Sequence, residues 1–126
     1  MRLDEATVLL VDDEADLREI FSAWLQHEGC LVFTAANGIE ALEVLEAQKI
    51  DILVSDIRMP VMDGLALVRA VHERKVAIPI ILVSGYVDAG LRWMHGLGVD
   101  ALMEKPLTRK ELLLALEHSL TESSHR

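Results

Sequence analysis

Residues Ile50 to Gly64 read Ile-Asp-Ile-Leu-Val-Ser-Asp-Ile-Arg-Met-Pro-Val-Met-Asp-Gly, and this stretch constrains the fold more than any other in the 126-residue chain. Ile52, Leu53 and Val54, with Ile50 just before them, form the short apolar run of a strand covered on both faces. The run ends on one carboxylate, Asp56, ahead of loop residues. Sheets of that kind carry helices on each side and bind their ligands at the carboxyl edge, where Asp56 falls.

The same unit recurs along the chain. Val8 to Val11 is an apolar run followed directly by Asp12, Asp13 and Glu14. Leu17, Ile20, Phe21, Trp24 and Leu25 recur at helical spacing and predict a helix on the sheet, which Gly29 stops. Leu31 to Ala35 predicts a strand, Asn37-Gly38 a turn, and Ile39 to Ala47 a helix. After the central strand, Met59-Pro60 and Asp63-Gly64 punctuate a loop, and Leu65, Val68, Ala70 and Val71 belong to a third helix. Ile78 to Val83 predicts the fourth strand, with Pro79 at its start. A helix over about Asp88 to Leu97 and a brief strand, Ala101 to Met103, lead to Glu104-Lys105-Pro106. Thr108 to Glu111 matches a capping box, flanked by Leu107 and Leu112 at staple positions, and opens a last helix reaching about Leu120.

Five strands alternating with five helices predict an α/β fold with a parallel sheet covered on both faces. One domain over residues 1–126 is expected, with its core at about 7–120 and Thr121 to Arg126 as a polar tail or the start of a linker. No apolar run approaches the ~20 residues of a membrane span. The start, Met-Arg-Leu-Asp-Glu-Ala, lacks the basic-then-apolar order of a secretory signal, so a cytoplasmic chain with no membrane partner is expected. Cys30, the only cysteine, excludes an internal disulfide and reads as a small buried side chain. A net charge of −9 without a basic cluster argues against direct nucleic-acid binding. The five histidines are scattered without metal-ligand spacing.

Five carboxylates, Asp12, Asp13, Glu14, Asp56 and Asp63, lie near predicted strand ends, where a cation could gather them. Strand by strand, the carboxyl edge collects Asp12 and Asp13, then Asp56, then Ser84, then Lys105. Crowded carboxylates repel unless a cation is present, and oxygen-only ligands select a hard ion such as Mg²⁺, with Mn²⁺ as an alternative. Asp56 can then act as a nucleophile toward a phosphoryl group, with Ser84 and Lys105 holding the phosphoryl oxygens. Taken alone, an Asp pair after a strand is often a cap, Ser84 a turn former and Lys105 a solvated charge; the joint placement favours the site.

At these residues the chain resembles a response-regulator receiver domain over about Thr7 to Leu120. The family pattern is an acid pair after strand one, a phosphoacceptor Asp after strand three followed by Met-Pro and Asp-Gly, Ser or Thr after strand four, and Lys-Pro after strand five. The resemblance implies a flavodoxin-like sheet of order 2-1-3-4-5, the order the general rule for doubly wound folds assigns to such a receiver. It implies that Asp56 accepts a phosphoryl group from a histidine kinase or a histidine phosphotransfer protein. Asp13 and Asp56 would hold Mg²⁺ with Asp12 and the backbone carbonyl of Arg58, and Lys105-Pro106 would be a cis peptide. It also implies a responsive surface on the fourth helix, fifth strand and fifth helix, through which a homodimer is allowed.

Receivers usually carry Tyr or Phe three residues before the Lys, where this chain has Leu102. An aliphatic side chain cannot make the usual aromatic swing, so coupling would run through repacking instead. Arg58 and Tyr86 stand, by resemblance, beside the path of the hydrolytic water, and their bulk implies a long-lived phospho-form. Gly85 leaves room for an incoming phosphodonor. The alternatives are a receiver-fold interaction domain that works without phosphorylation and an aspartyl-nucleophile phosphatase. The second is disfavoured because Arg58, not a second acid, stands two residues after Asp56. A flavin protein is disfavoured because no Ser/Thr/Gly-rich loop follows strand one. The chain reads as a stand-alone receiver or one cut from a larger regulator or hybrid kinase.

Overall fold

The computed structural model describes residues 1–85 and 98–123. Five strands form one parallel sheet: β1 (Thr7–Val11), β2 (Leu31–Ala35), β3 (Ile52–Asp56), β4 (Ile80–Ser84) and β5 (Ala101–Glu104). Their order is β2-β1-β3-β4-β5. Four α-helices lie among the described residues: α1 (Ala15–His27), α2 (Gly38–Ala47), α3 (Gly64–Glu73) and α4 (Arg109–Ser123). The helix predicted over about Asp88 to Leu97, with Tyr86 just before it, lies outside the described residues.

Side chains alternate across the strands, so each face of the sheet has its own core. Val8, Leu10, Ile52, Val54, Ile81 and Val83 pack against Phe21 and Leu25 of α1 and Leu112, Leu116 and Leu120 of α4. On the opposite face, Leu9, Val11, Leu53, Ile80 and Leu82 pack against Ala41 and Leu42 of α2 and Leu67, Val68 and Val71 of α3. The central strands β3 and β4 are buried at every position, which is why they read as unbroken apolar runs. On the edge strand β2, Leu31 is 59% exposed. Ile20 belongs to the predicted stripe of α1 but is exposed, because the helix rests on the sheet through Phe21 and Leu25.

The helix ends follow the local sequence. Gly29, at φ +94°, terminates α1, with its N–H donating to the Gln26 carbonyl and the Cys30 N–H to the Leu25 carbonyl. The Thr108 hydroxyl accepts from the Glu111 N–H at 3.1 Å, and the Glu111 carboxylate accepts from the Thr108 N–H, completing the capping box of α4. At the amino edge of the sheet, two aspartates act as matching latches. The Asp51 carboxylate accepts from the Thr7 N–H and that of Asp100 from the Ile80 N–H, each at 2.8 Å. Each Asp backbone N–H returns a bond to the carbonyl of the same partner. These latches set the register of β3 on β1 and of β5 on β4.

Candidate functional site

Because the strands are parallel and in register, the residues that follow them meet at one edge. Val11 pairs with Ser55, Asp56 with Val83, and Ser84 with Glu104. Asp12 and Asp56 are almost completely buried there, at 2% and 7% exposure, and Ser84 is buried beside them. Carboxylate oxygens of Asp12, Asp13 and Asp56 all lie within 4.8 Å of one another. Asp13 is the exposed member of the three.

Lys105 enters this cluster from the end of β5. Its ammonium nitrogen lies 2.9 Å from Asp56 Oδ2 and 3.1 Å from Asp12 Oδ2. The Lys105 backbone N–H donates to the Ser84 carbonyl at 2.8 Å, which ties the end of β4 to the same lysine. The Lys105-Pro106 peptide is cis. Burial pushes the Asp56 carboxyl above its ordinary 3.8, against the opposing pull of the hydrogen bond from Lys105. Burial acts to lower the Lys105 ammonium, but its bonds to Asp56 and Asp12 outweigh this and hold it above 10.5.

The first strand-to-helix turn is itself tightly bound. Asp12 Oδ1 accepts from the Glu14 N–H at 2.9 Å, and the Asp12 N–H donates to the Ala35 carbonyl at 3.1 Å. Arg18, half-buried on α1, donates from Nη1 to the Asp12 carbonyl oxygen at 2.7 Å.

Glu14 and Asp63 are not part of the acidic group that the described residues form. Asp63 is instead the N-cap of α3, its carboxylate accepting from the Ala66 N–H at 2.8 Å, and Glu14 occupies the N-cap position of α1. Helix starts offer unpaired N–H groups that an Asp satisfies without any cation. Arg58 is exposed in the loop after β3. Among the described residues, nothing lies within 4 Å of where a Cβ at Gly85 would stand. Leu102 faces outward on the edge strand β5. Tyr86 lies outside the described residues.

Gly64 also serves the site, although its Asp-Gly dipeptide reads in sequence only as a turn. It is buried where α3 begins, its N–H donates to the Ile57 carbonyl at 2.8 Å, and its Cα lies against the backbone of Asp56. The signal for such a role is a Gly at the start of a helix, where backbone must approach backbone.

Three carboxylates within reach of one another, with no softer ligand among them, suit a hard divalent ion such as Mg²⁺. A cation already sits on two of them in the form of Lys105. The arrangement can therefore gather anionic oxygens around Asp56.

Known proteins match most of the chain. The profile of the response regulator receiver domain fits residues 8–117. The sensor kinase CckA of Brucella abortus is 40% identical over 118 residues, covering 91% of this chain and 12% of that protein. The response regulator SaeR of Staphylococcus aureus is 34% identical over 115 residues, covering 90% of this chain and 50% of that protein. The chain thus spans half or less of the length of these relatives. Among solved structures, a CheY-like receiver domain protein from Methanospirillum hungatei JF-1 superposes with a TM-score of 0.89 at 27% identity, covering 95% of this chain and 97% of that one. The chemotaxis protein CheY4 of Vibrio cholerae gives 0.86 at 32% identity, covering 90% and 98%. With the sheet order, the acidic edge and the profile in agreement, the chain belongs to the response regulator receiver domain family of two-component systems.

Proposed function

We propose that Asp56 is the phosphoacceptor of this receiver and takes a phosphoryl group from a phosphohistidine on a histidine kinase or phosphotransfer protein. The observation that carries this reading is the Lys105 ammonium placed against both Asp56 and Asp12, at 2.9 and 3.1 Å, beside the Asp13 carboxylate. A carboxylate oxygen of Asp56 attacks phosphorus, so an O–P bond forms as the N–P bond of the donor breaks. The electron pair of the broken bond stays on the ring nitrogen, and the imidazole leaves neutral because the other ring nitrogen of the phosphohistidine carries a proton.

Asp12, Asp13 and Asp56, with the backbone carbonyl of Arg58, would hold Mg²⁺. When bound, the ion neutralises charge on the transferring phosphoryl oxygens. Lys105 neutralises one of those oxygens and Ser84, buried at the end of β4, donates its hydroxyl to another. The open space at Gly85 leaves room for the donor. Exposed Arg58 screens the phosphoryl group from water and lengthens the phospho-form. Leu102, on the rim of β5, makes the response one of strand and helix repacking rather than of a swinging ring. The setting is the cytoplasm, where a kinase and its Mg²⁺ are available.

Calorimetric titration of the chain with fluoroberyllate in the presence of Mg²⁺ tests the site. Saturable binding is expected in the wild type and none in Asp56→Asn. Equal binding by both would overturn the assignment of Asp56.

A further inference from the structure

The three acidic side chains are not held alike. Asp12 is fixed through both carboxylate oxygens, to the Glu14 N–H and to Lys105, and Asp56 through Lys105. Asp13 is exposed, and among the described residues its carboxylate has no hydrogen-bonding or ionic partner. What the surrounding protein fixes is therefore the backbone from which the Asp13 side chain departs, which decides where its few χ1 rotamers can place the carboxylate.

That backbone has one external anchor at the decisive peptide. The carbonyl of Asp12 lies in the same rigid plane as the N and Cα of Asp13, so holding the Asp12 oxygen fixes the direction in which Asp13 leaves the turn. The group that holds it is the guanidinium of Arg18, 2.7 Å away, reaching back from α1 across the turn. Bonds of this length to a charged donor are the stronger kind. The preceding peptide is held from the other side, by the Asp12 N–H on the Ala35 carbonyl of β2.

We propose that Arg18 is a positioning residue for divalent-cation binding: it clamps the Asp12-Asp13 peptide and so presents the Asp13 carboxylate to the ion. This rests on the metal site proposed above. The role opposes the residue's own charge. A guanidinium beside a cation site repels the ion, so an Arg18 that acted only as a nearby charge would weaken binding, and removing it would tighten binding. An Arg18 that positions Asp13 gives the opposite sign.

The test is calorimetric titration of Mg²⁺ alone into the folded wild type, Arg18→Met and Arg18→Lys, with circular dichroism to check the fold. Arg18→Met keeps the apolar stem and loses the donors, and its Mg²⁺ affinity is expected to fall by about tenfold or more, as for other groups that orient a metal ligand. Arg18→Lys keeps one donor and the charge, and is expected to bind more tightly than Arg18→Met. Should Arg18→Met not fold, Arg18→Leu, which likewise has no donor, is read in its place with the same outcomes. Unchanged or tighter binding on loss of the guanidinium, or a lysine variant no better than the methionine one, overturns the role of Arg18 while leaving the site intact. A wild type that binds no Mg²⁺ overturns both.

Discussion

Gly64 rests on the carbonyl oxygen of Asp56, so closely that a Cβ at position 64 would collide with that oxygen and stand 2.9 Å from the Cα of Ile57. Backbone on both sides leaves no flexible group to move aside. Gly64→Ala is expected to destabilise the fold by about 1–3 kcal/mol, as overpacking does, and to displace Asp56. Gly38→Ala is the comparison, since the nearest atoms to its new Cβ all belong to the Met62 side chain, Cγ at 2.5 Å, the sulfur at 2.7 Å and Cβ at 2.9 Å, and a side chain can turn where backbone cannot. It is expected to cost less than Gly64→Ala, about 1–2 kcal/mol. Urea unfolding of the two variants decides, and a larger loss at Gly38 would contradict the account.

Val61 stands at φ +69° in the loop after β3, with the Met62 N–H donating to the Pro60 carbonyl around it at 2.8 Å. That is a tight three-residue turn in a region that β-branched side chains rarely enter. At 80% exposure the side chain has almost no packing to lose. Val61→Gly is expected to stabilise the protein by about 0.5–1 kcal/mol, the relief of strain exceeding the entropy gained by the unfolded chain. A lower unfolding midpoint in Val61→Gly would show that the left-handed turn is not strained.

Ser119 is buried in α4, and among the described residues its hydroxyl has no hydrogen-bond partner. Such a group keeps its desolvation cost without return. Ser119→Ala removes it and adds a better helix former, so a gain of about 0.5–1 kcal/mol in thermal or urea unfolding is expected. A loss of similar size would mean that the hydroxyl is satisfied in solution.

Cys30 is buried with its thiol donating to the Leu3 carbonyl at 3.2 Å. Burial, reinforced by the negative charges of Glu28 and Asp4, pushes the thiol from 9.0 up to about 11. The unfolded thiol ionises first. Its contribution to stability is therefore fully present below about pH 9 and is lost as pH rises toward about 11, a fall of about 2–3 kcal/mol. Urea midpoints at pH 8 and above pH 10 should show this extra loss in the wild type and not in Cys30→Ala. At neutral pH the folded thiol should resist a thiol reagent that modifies it at once in urea.

How much of this was legible in the sequence depends on the kind of contact. The central strands were readable because helices cover both faces, so β3 and β4 leave no polar position before Ser55 and Ser84. The edge strand β5 was harder, since alternate positions face outward and Leu102 is exposed. Asp12, Asp13, Asp56, Ser84 and Lys105 stood out because each lies at the end of a strand or within two residues after it, and parallel registry brings strand ends together. Asp63 shows the limit of that logic: an acid near a strand end is equally a helix cap, and only the Ala66 N–H decides. The contacts of Arg18 and Gly64 were not legible. One depends on a side chain folding back across a turn and the other on backbone meeting backbone, and neither leaves a period or a spacing in the sequence.

The central claim concerns Asp56, which the Lys105 ammonium faces at 2.9 Å. Intact-mass measurement after incubation with Mg²⁺ and acetyl phosphate tests it most directly. The wild type should gain the mass of one phosphoryl group, in an acyl linkage that hydroxylamine cleaves, and Asp56→Asn should gain none. An unmodified wild type, under conditions that phosphorylate another receiver in the same tube, would contradict the account.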